Sequence, residues 1–459
     1  MNSKTSDMCE GPLFKKIILY TIPIILTGVL QLLFNAADLV VVGQYCGSIS
    51  VAAVGATGAI INLIVNLFIG LSVGAGVTVA HAIGAGHSTD ASRTVHTAMP
   101  TAFISGIILT VVGIFGSKYF LSLMGTPDDV INLSNIYMKI YFCGITASML
   151  YNFGAAILRA AGDTKGPLIY LTLAGIINIL LNLLFVIVFK MDVAGVALAT
   201  SISQIVSAIL VICALMKRDD ACKLSFKKLK LHIRQLIQII RIGVPAGIQG
   251  SLFSISNVII QSSVNSFGSV VMSGNAAAGN IEGFVYTTMN SFHQTALNFT
   301  GQNFGAKKYD RIGRIMKICL CSVFTAGLVA GAAVFIFARP LLGIYITDSA
   351  EAIEYGVTRI AFICLPYFLC GLMDVTTGIL RGMDSSIAPM IITVLGVCGF
   401  RIAWIYTIFR IPQFHTLPSL YISYAISWSL TFIAQIIFYL ILCRKLKNKQ
   451  NYSISAEPA

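Results

Sequence analysis

The sequence predicts an all-α polytopic membrane protein, with about twelve transmembrane helices in two pseudo-symmetric lobes of six. Three observations carry that expectation. The 459 residues are 56% hydrophobic and only 11% charged, with a mean hydropathy of +0.85, whereas a soluble domain carries about 25% charged residues. Apolar stretches of about 20 residues, each long enough to cross a bilayer as a helix, recur along the whole chain. The second half also repeats the first at a fixed offset. A transmembrane barrel would show short alternating segments instead.

Taken in order, residues 1–16, "MNSKTSDMCEGPLFKK", have no apolar core and no small-residue cleavage site. They read as a cytoplasmic N-terminal segment rather than a cleaved leader. Residues 17–216 are expected to form the N-lobe with spans one to six, 217–241 a basic linker, 242–443 the C-lobe with spans seven to twelve, and 444–459 a cytoplasmic tail. The net charge of +13 could suggest a nucleic-acid partner. Most Lys and Arg, however, fall in alternate loops, and this positive-inside pattern puts both termini on the cytoplasmic side of the membrane. The linker, "MKRDDACKLSFKKLKLHIRQLIQIIR" with its preceding Met216, is expected to lie along anionic lipid headgroups. The 11 Cys are scattered without a CxxC pair and read as packing thiols. His81, His87 and His96 surround one short loop without metal-ligand spacing and read as loop residues.

The repeat is legible in single residues. Pro23 and Pro245 are 222 residues apart, as are Arg159 and Arg381, and Pro167 and Pro389. The last four sit in "ILRAAGDTKGP" and "ILRGMDSSIAP", and Gly84–Ala85 recurs at Gly305–Ala306 with an offset of 221. About six spans separate equivalent points, so the two copies share one orientation and are parallel repeats about an axis along the membrane normal. Two such bundles suit a carrier that works by alternating access. The glycines of "LFIGLSVGAGVTVAHAIGAG" suit close helix approach, and bends are expected at Pro23, Pro245 and Pro366.

Three carboxylates remain inside apolar spans. Asp38 lies in "LQLLFNAADLVVVGQY", Glu282 in "AAAGNIEGFVYTTM" and Asp374 in "CLPYFLCGLMDVTTGILRG". A charge at the bilayer centre costs about 2.5–3.5 kcal/mol on insertion scales, and such residues mark ion or substrate paths. The competing reading is a structural pair with Lys139, Arg359 or Arg401. At the 222 offset the three acids meet Ile260, Ile60 and Asn152, so none is duplicated with the scaffold, which points to function. Asn35 shares a face with Asp38 at i, i+3, and Gln31 lies two turns from it. Asn178 and Asn182 share a face at i, i+4, and Thr200 opens the sixth span. These oxygens either complete a small cation site or tie helices together. Tyr141, Asn152, Tyr286, Met289 and Tyr367 join Gln31 and Asn35 as candidate substrate contacts, the aromatic ones by cation–π attraction.

The phrases "LFNAADLVVVGQYCGSISVAAVGATG", "GQNFGAKKYDR" and "GILRGMDSS" resemble the multidrug and toxic compound extrusion family, over essentially the whole chain after its first dozen residues. The resemblance implies twelve helices in two lobes and export of organic cations in exchange for protons or sodium ions. It implies a coupling-ion site at Asp38, Asn178 and Thr200, with Asn182 where the family usually has Asp, and C-lobe carboxylates at Glu282 and Asp374. The seventh-helix Glu of one branch is missing from "GIQGSLFSISNVII". No cofactor beyond the coupling ion is expected, and the partners are membrane lipid and small organic cations, with the chain a monomer. The runner-up is a lipid-linked saccharide flippase, which would favour a cleft lined with Arg and Lys, or a dedicated metabolite exporter of the same superfamily. An enzyme is not expected, since HExxH, GxSxG and P-loop patterns are missing.

Overall fold

A computed structural model describes residues 8–347 and 349–455. Residues 1–7 of the expected N-terminal segment and 456–459 of the tail lie outside it. Among the described residues there is no strand, and the fold is all-α as expected. The first half contains α1 (Leu13–Tyr45), α2 (Ser48–Gly84), α3 (Ser88–Leu123), α4 (Asp128–Ala160), α5 (Lys165–Leu183) and α6 (Asp192–Met216). The second contains α7 (Ile233–Asn265), α8 (Ser269–Gly305), α9 (Tyr309–Ile336), the short α10 (Ala338–Gly343), α11 (Ala350–Arg359), α12 (Tyr367–Gly382), α13 (Ile387–Thr393), α14 (Phe400–Tyr406) and α15 (Leu417–Ser455).

Ten helical runs among the described residues are long and apolar enough to span a bilayer. An eleventh is the pair Ala350–Cys364 and Tyr367–Gly382, bent by 42°. The bend falls beside Pro366, which supplies no backbone donor. Pro23 and Pro245 instead lie inside the unbroken helices α1 and α7. The remaining long helix, α8, carries Asn275, Glu282, Asn290 and His293 among its apolar residues. With Asn275 and His293 buried and Glu282 and Asn290 partly so, it can be less apolar than its neighbours.

The duplication is written in the helix lengths and in the turns. α1 and α7 are each 33 residues long, and α2 and α8 are each 37. α2 ends on Gly86 at φ +71°, with Gly86 N–H donating to Ile83 and His87 N–H to Ala82, the double bond pattern that closes a helix through a left-handed residue. α8 ends the same way on Lys307 at φ +56°, with Lys307 N–H donating to Phe304 and Lys308 N–H to Asn303. After α4 the left-handed residue is Gly162, and 222 residues later it is Asp384 at φ +64°. The second copy thus keeps the backbone shape after losing the glycine, at a cost of roughly 1–2 kcal/mol per position.

The described residues fall into two compact units. The first takes residues within Met1–Val258, Leu297–Ile318 and Gly382–Ser386, the second within Ile259–Ala296, Cys319–Arg381 and Ile387–Ala459. These boundaries differ from those of the repeat, because α7, α8 and α9 each run from one unit into the other. In the first unit the small residues of α2 do what was expected of them. A side chain at Gly74 would strike the carbonyl of Ile239 on α7, and one at Gly84 the backbone of Gln302. The apolar cores of the first unit include one around Phe153, Ile157 and Val211, one around Phe142, Met138 and Val196, and a smaller one of Val77, Ile242 and Leu297. The second has a core around Leu342, Ile360 and Ala278. His81 and His96 are not loop residues: both belong to helices, and only His87 falls in the turn.

Candidate ion and substrate sites

In the first unit, three helices bring together the four residues expected to hold a coupling ion. Asn182 Nδ2 donates to Asp38 Oδ1 at 2.5 Å and to Asn178 Oδ1 at 3.3 Å. Thr200 Oγ1 lies 3.4 Å from Asp38 Oδ2 and 3.4 Å from Asn178 Nδ2, and 3.0 Å from the carbonyl of Val196. Asn178 and Asn182 are buried, while Asp38 is partly exposed. Every side chain bonded to Asp38 is neutral, and no ion pair involves it among the described residues. Asn182 Oδ1 is buried without a hydrogen-bond partner. A buried acceptor left unmatched is costly.

The second unit answers its acid differently. Arg359, at the end of α11, donates through Nη2 and Nε to Glu282 Oε2 at 2.7 and 3.2 Å. Tyr367 OH donates to Glu282 Oε1 at 3.3 Å. Arg359 also donates to Asn275, whose Oδ1 accepts from Tyr421 OH at 3.1 Å and whose Nδ2 donates to Gln261 Oε1 at 2.8 Å. Both charged side chains are mostly buried. Glu282 is therefore held in an ion pair within a saturated polar network. Sequence reasoning missed Asn275, Gln261 and Tyr421. Asn275 lies at i−7 from Glu282 and so on the same face of α8, which is the signal that could have found it.

Arg401 and Asp374 do not form the pair the sequence left open. Arg401 is buried, with its guanidinium 3.8 Å over the Tyr424 ring and 5.4 Å from that of Trp428. Its Nε donates to Ser427 at 3.0 Å, and its Nη2 has no hydrogen-bond partner. Asp374 is partly exposed, and its backbone carbonyl accepts from His293 Nδ1 at 2.6 Å. Segments of π-helix, frequent at functional positions, lie beside these charges. Leu184–Val188 follows Asn182, Ile360–Cys364 follows Arg359, and Val394–Gly399 precedes Arg401.

The candidate substrate contacts scatter. Tyr141 lines a small cavity with Ser148, Thr200 and Gln204. Gln31, Asn35 and Tyr286 are exposed. Asn152 is spent on its own helix, donating to the Ser148 carbonyl at 2.9 Å. Met289 is fully buried, its sulfur packed against the backbone at Gly327 and Gly371, which is core packing. Tyr367 belongs to the Glu282 network.

The MatE family profile matches residues 23–184 and again 245–407, two copies that begin 222 residues apart, on Pro23 and Pro245. The chain belongs to the MatE family. Its relatives include the probable multidrug resistance protein YoeA of Bacillus subtilis, 26% identical over 408 residues and 87% of each chain. Another is the probable multidrug resistance protein NorM of Thermotoga maritima, 24% identical over 84% of each. Among solved structures, the outward-facing form of a multidrug resistance MATE transporter superposes with a TM-score of 0.90 at 21% identity, covering 98% of this chain and all of that one. A Pyrococcus furiosus transporter described as having a binding pocket of reverse polarity gives 0.91 at 21%, covering 97% and 99%. This MatE protein is thus an integral membrane protein with the MATE fold.

Proposed function

We propose that the protein is a secondary antiporter that exports organic cations by alternating access, taking up protons or sodium ions in exchange. The observation that carries the reading is Asp38, a carboxylate on a membrane helix whose bonded partners, Asn182 and Thr200, are neutral. Such an acid is neutralised by a proton or by a cation held among oxygens. Asp38, Asn178, Thr200 and the unmatched oxygen of Asn182 supply oxygens of that kind. With Asn in place of a second acid, the site has one negative charge to offer, which favours a proton over sodium. The multidrug names of YoeA and NorM support an organic cation as cargo. The charge asymmetry of the loops supports cytoplasmic termini, and the bacterial sources of YoeA and NorM support residence in a bacterial inner membrane.

A second reading, a dedicated exporter of an anionic metabolite, is favoured by Arg401. Glu282 is already neutralised by Arg359, while Arg401 faces only aromatic rings and a serine. The test is efflux from proteoliposomes of a fluorescent organic cation and of an anionic dye, each under an inward proton or sodium gradient. Proton-driven cation export, abolished in Asp38→Asn, supports the first reading. Export of the anion alone replaces it with the second.

A further inference from the structure

The linker does not hang free between its helices. Pro100 has no N–H to give the carbonyl of His96 four residues earlier, and Lys230 N–H reaches that carbonyl at 3.4 Å instead. Ser225 N–H donates to His96 Nε2 at 3.1 Å, and His232 N–H to Thr97 Oγ1 at 3.1 Å. Held at both ends on one turn of α3, residues 226–229 arch away from the helix. Beneath the arch lies a groove of about 500 Å³, walled by Met99, Pro100 and Phe103 of α3, Leu150 of α4 and Ile212 of α6, and roofed by the linker. That volume lies within the range, about 300–1,000 Å³, of pockets that hold small organic molecules.

The lining is apolar except for Lys230. Lys227 and Lys228 are exposed beside it, and none of the three forms an ion pair among the described residues. Phe103 is half exposed and begins a stripe of α3 that continues through Ile107 and Val111, also exposed on this membrane-spanning helix. The groove therefore combines an apolar lining, which includes the first residue of the exposed α3 stripe, with Lys230, and Lys227 and Lys228 lie next to it in the chain. An amphiphile with one long apolar chain and an anionic head matches that combination.

We propose that this groove is a lipid site, holding one acyl chain of an anionic glycerophospholipid of the surrounding bilayer with its phosphate at Lys230, Lys227 and Lys228. The site rests only on the chain being a membrane protein and is independent of what is transported. A lipid seated there bridges α3, α4, α6 and the linker.

The full chain, purified from vesicles of equimolar phosphatidylglycerol and phosphatidylcholine with identical acyl chains, is exchanged into detergent, and retained lipid is counted by native mass spectrometry. One phosphatidylglycerol per chain is expected to persist. Replacing the three lysines (K227Q, K228Q and K230Q together) should lower its retention about a hundredfold, as each basic residue near a lipid surface contributes about 1 kcal/mol and each 1.4 kcal/mol is about tenfold. Leu229→Trp fills the groove from the exposed roof, leaves every charge in place and should lower retention equally. Equal retention of both lipids, retention unaffected by Leu229→Trp, or no retained lipid would each overturn the proposal. These substitutions are at exposed positions, and thermal unfolding of each variant in detergent confirms that it is folded.

Discussion

Asp38 in the first unit and Glu282 in the second are both carboxylates on long apolar helices, yet they have opposite surroundings. Asp38 accepts from one amide, Asn182, and one hydroxyl, Thr200; both also bond to Asn178, and Asn182 Oδ1 is left unmatched. Glu282 is met by a guanidinium, a phenol and, through Arg359, an asparagine that has its own partners. The contrast separates two roles for an acid on a membrane helix. A carboxylate with a fixed counter-charge has no electrostatic need of a mobile one, whereas one among neutral dipoles exchanges a proton or cation as its surroundings change.

The largest effect expected on breaking the contrast is at the pair. Glu282→Gln strands the Arg359 charge and should destabilise the protein by about 3–5 kcal/mol, read as a drop in thermal unfolding temperature in detergent. Replacing Arg359 by Gln in the same chain should recover most of the loss. If the double variant is as unstable as the single one, the pair is not what holds that network.

Asp38→Asn should leave unfolding nearly unchanged, because the amide oxygen still accepts from Asn182 and the amide NH2 can donate to Thr200 Oγ1. Gradient-driven transport should fall by about a hundredfold, which equals about 2.7 kcal/mol, and undiminished transport would remove Asp38 from the coupling mechanism. Smaller, and sharpening the contrast from the other side, is Asn182→Asp. A second carboxylate should tighten sodium binding about tenfold, some 1.4 kcal/mol, measured by isothermal titration with sodium at fixed ionic strength. The smallest expected change is Arg401→Lys, which keeps the charge but loses the planar stack on Tyr424. It should lower stability by about 1 kcal/mol, within the span of cation–π contacts, in the same unfolding assay.

Much of the fold was legible in the sequence, and for a definite reason. Helix count and duplication depend on apolar length and on a few residues that punctuate turns, such as Pro23 with Pro245 and Gly84 with Gly305. The Asp38 cluster was legible because Asn178 and Asn182 share a helix face and the resemblance joined them to Asp38. The partner of Glu282 was not, because Arg359 is 77 residues away and neither periodicity nor spacing links two helices at that distance. Pairings across helices depend on packing, and so do the linker's attachment to His96 and the placing of Met289 in a core rather than at a surface.

The left-handed residues that close α8 and α12 have a practical consequence for engineering. Where the first copy has Gly86 and Gly162, the second has Lys307 and Asp384 in the same backbone shape. One half of the chain thus names a substitution that should relieve strain in the other. Lys307→Gly alters an exposed side chain and has little else to lose. Asp384→Gly would also remove an ion pair, since Asp384 lies 3.7 Å from Arg241. A duplicated protein carries, in this sense, its own consensus: two independent answers to one geometric demand, one of them free of steric cost.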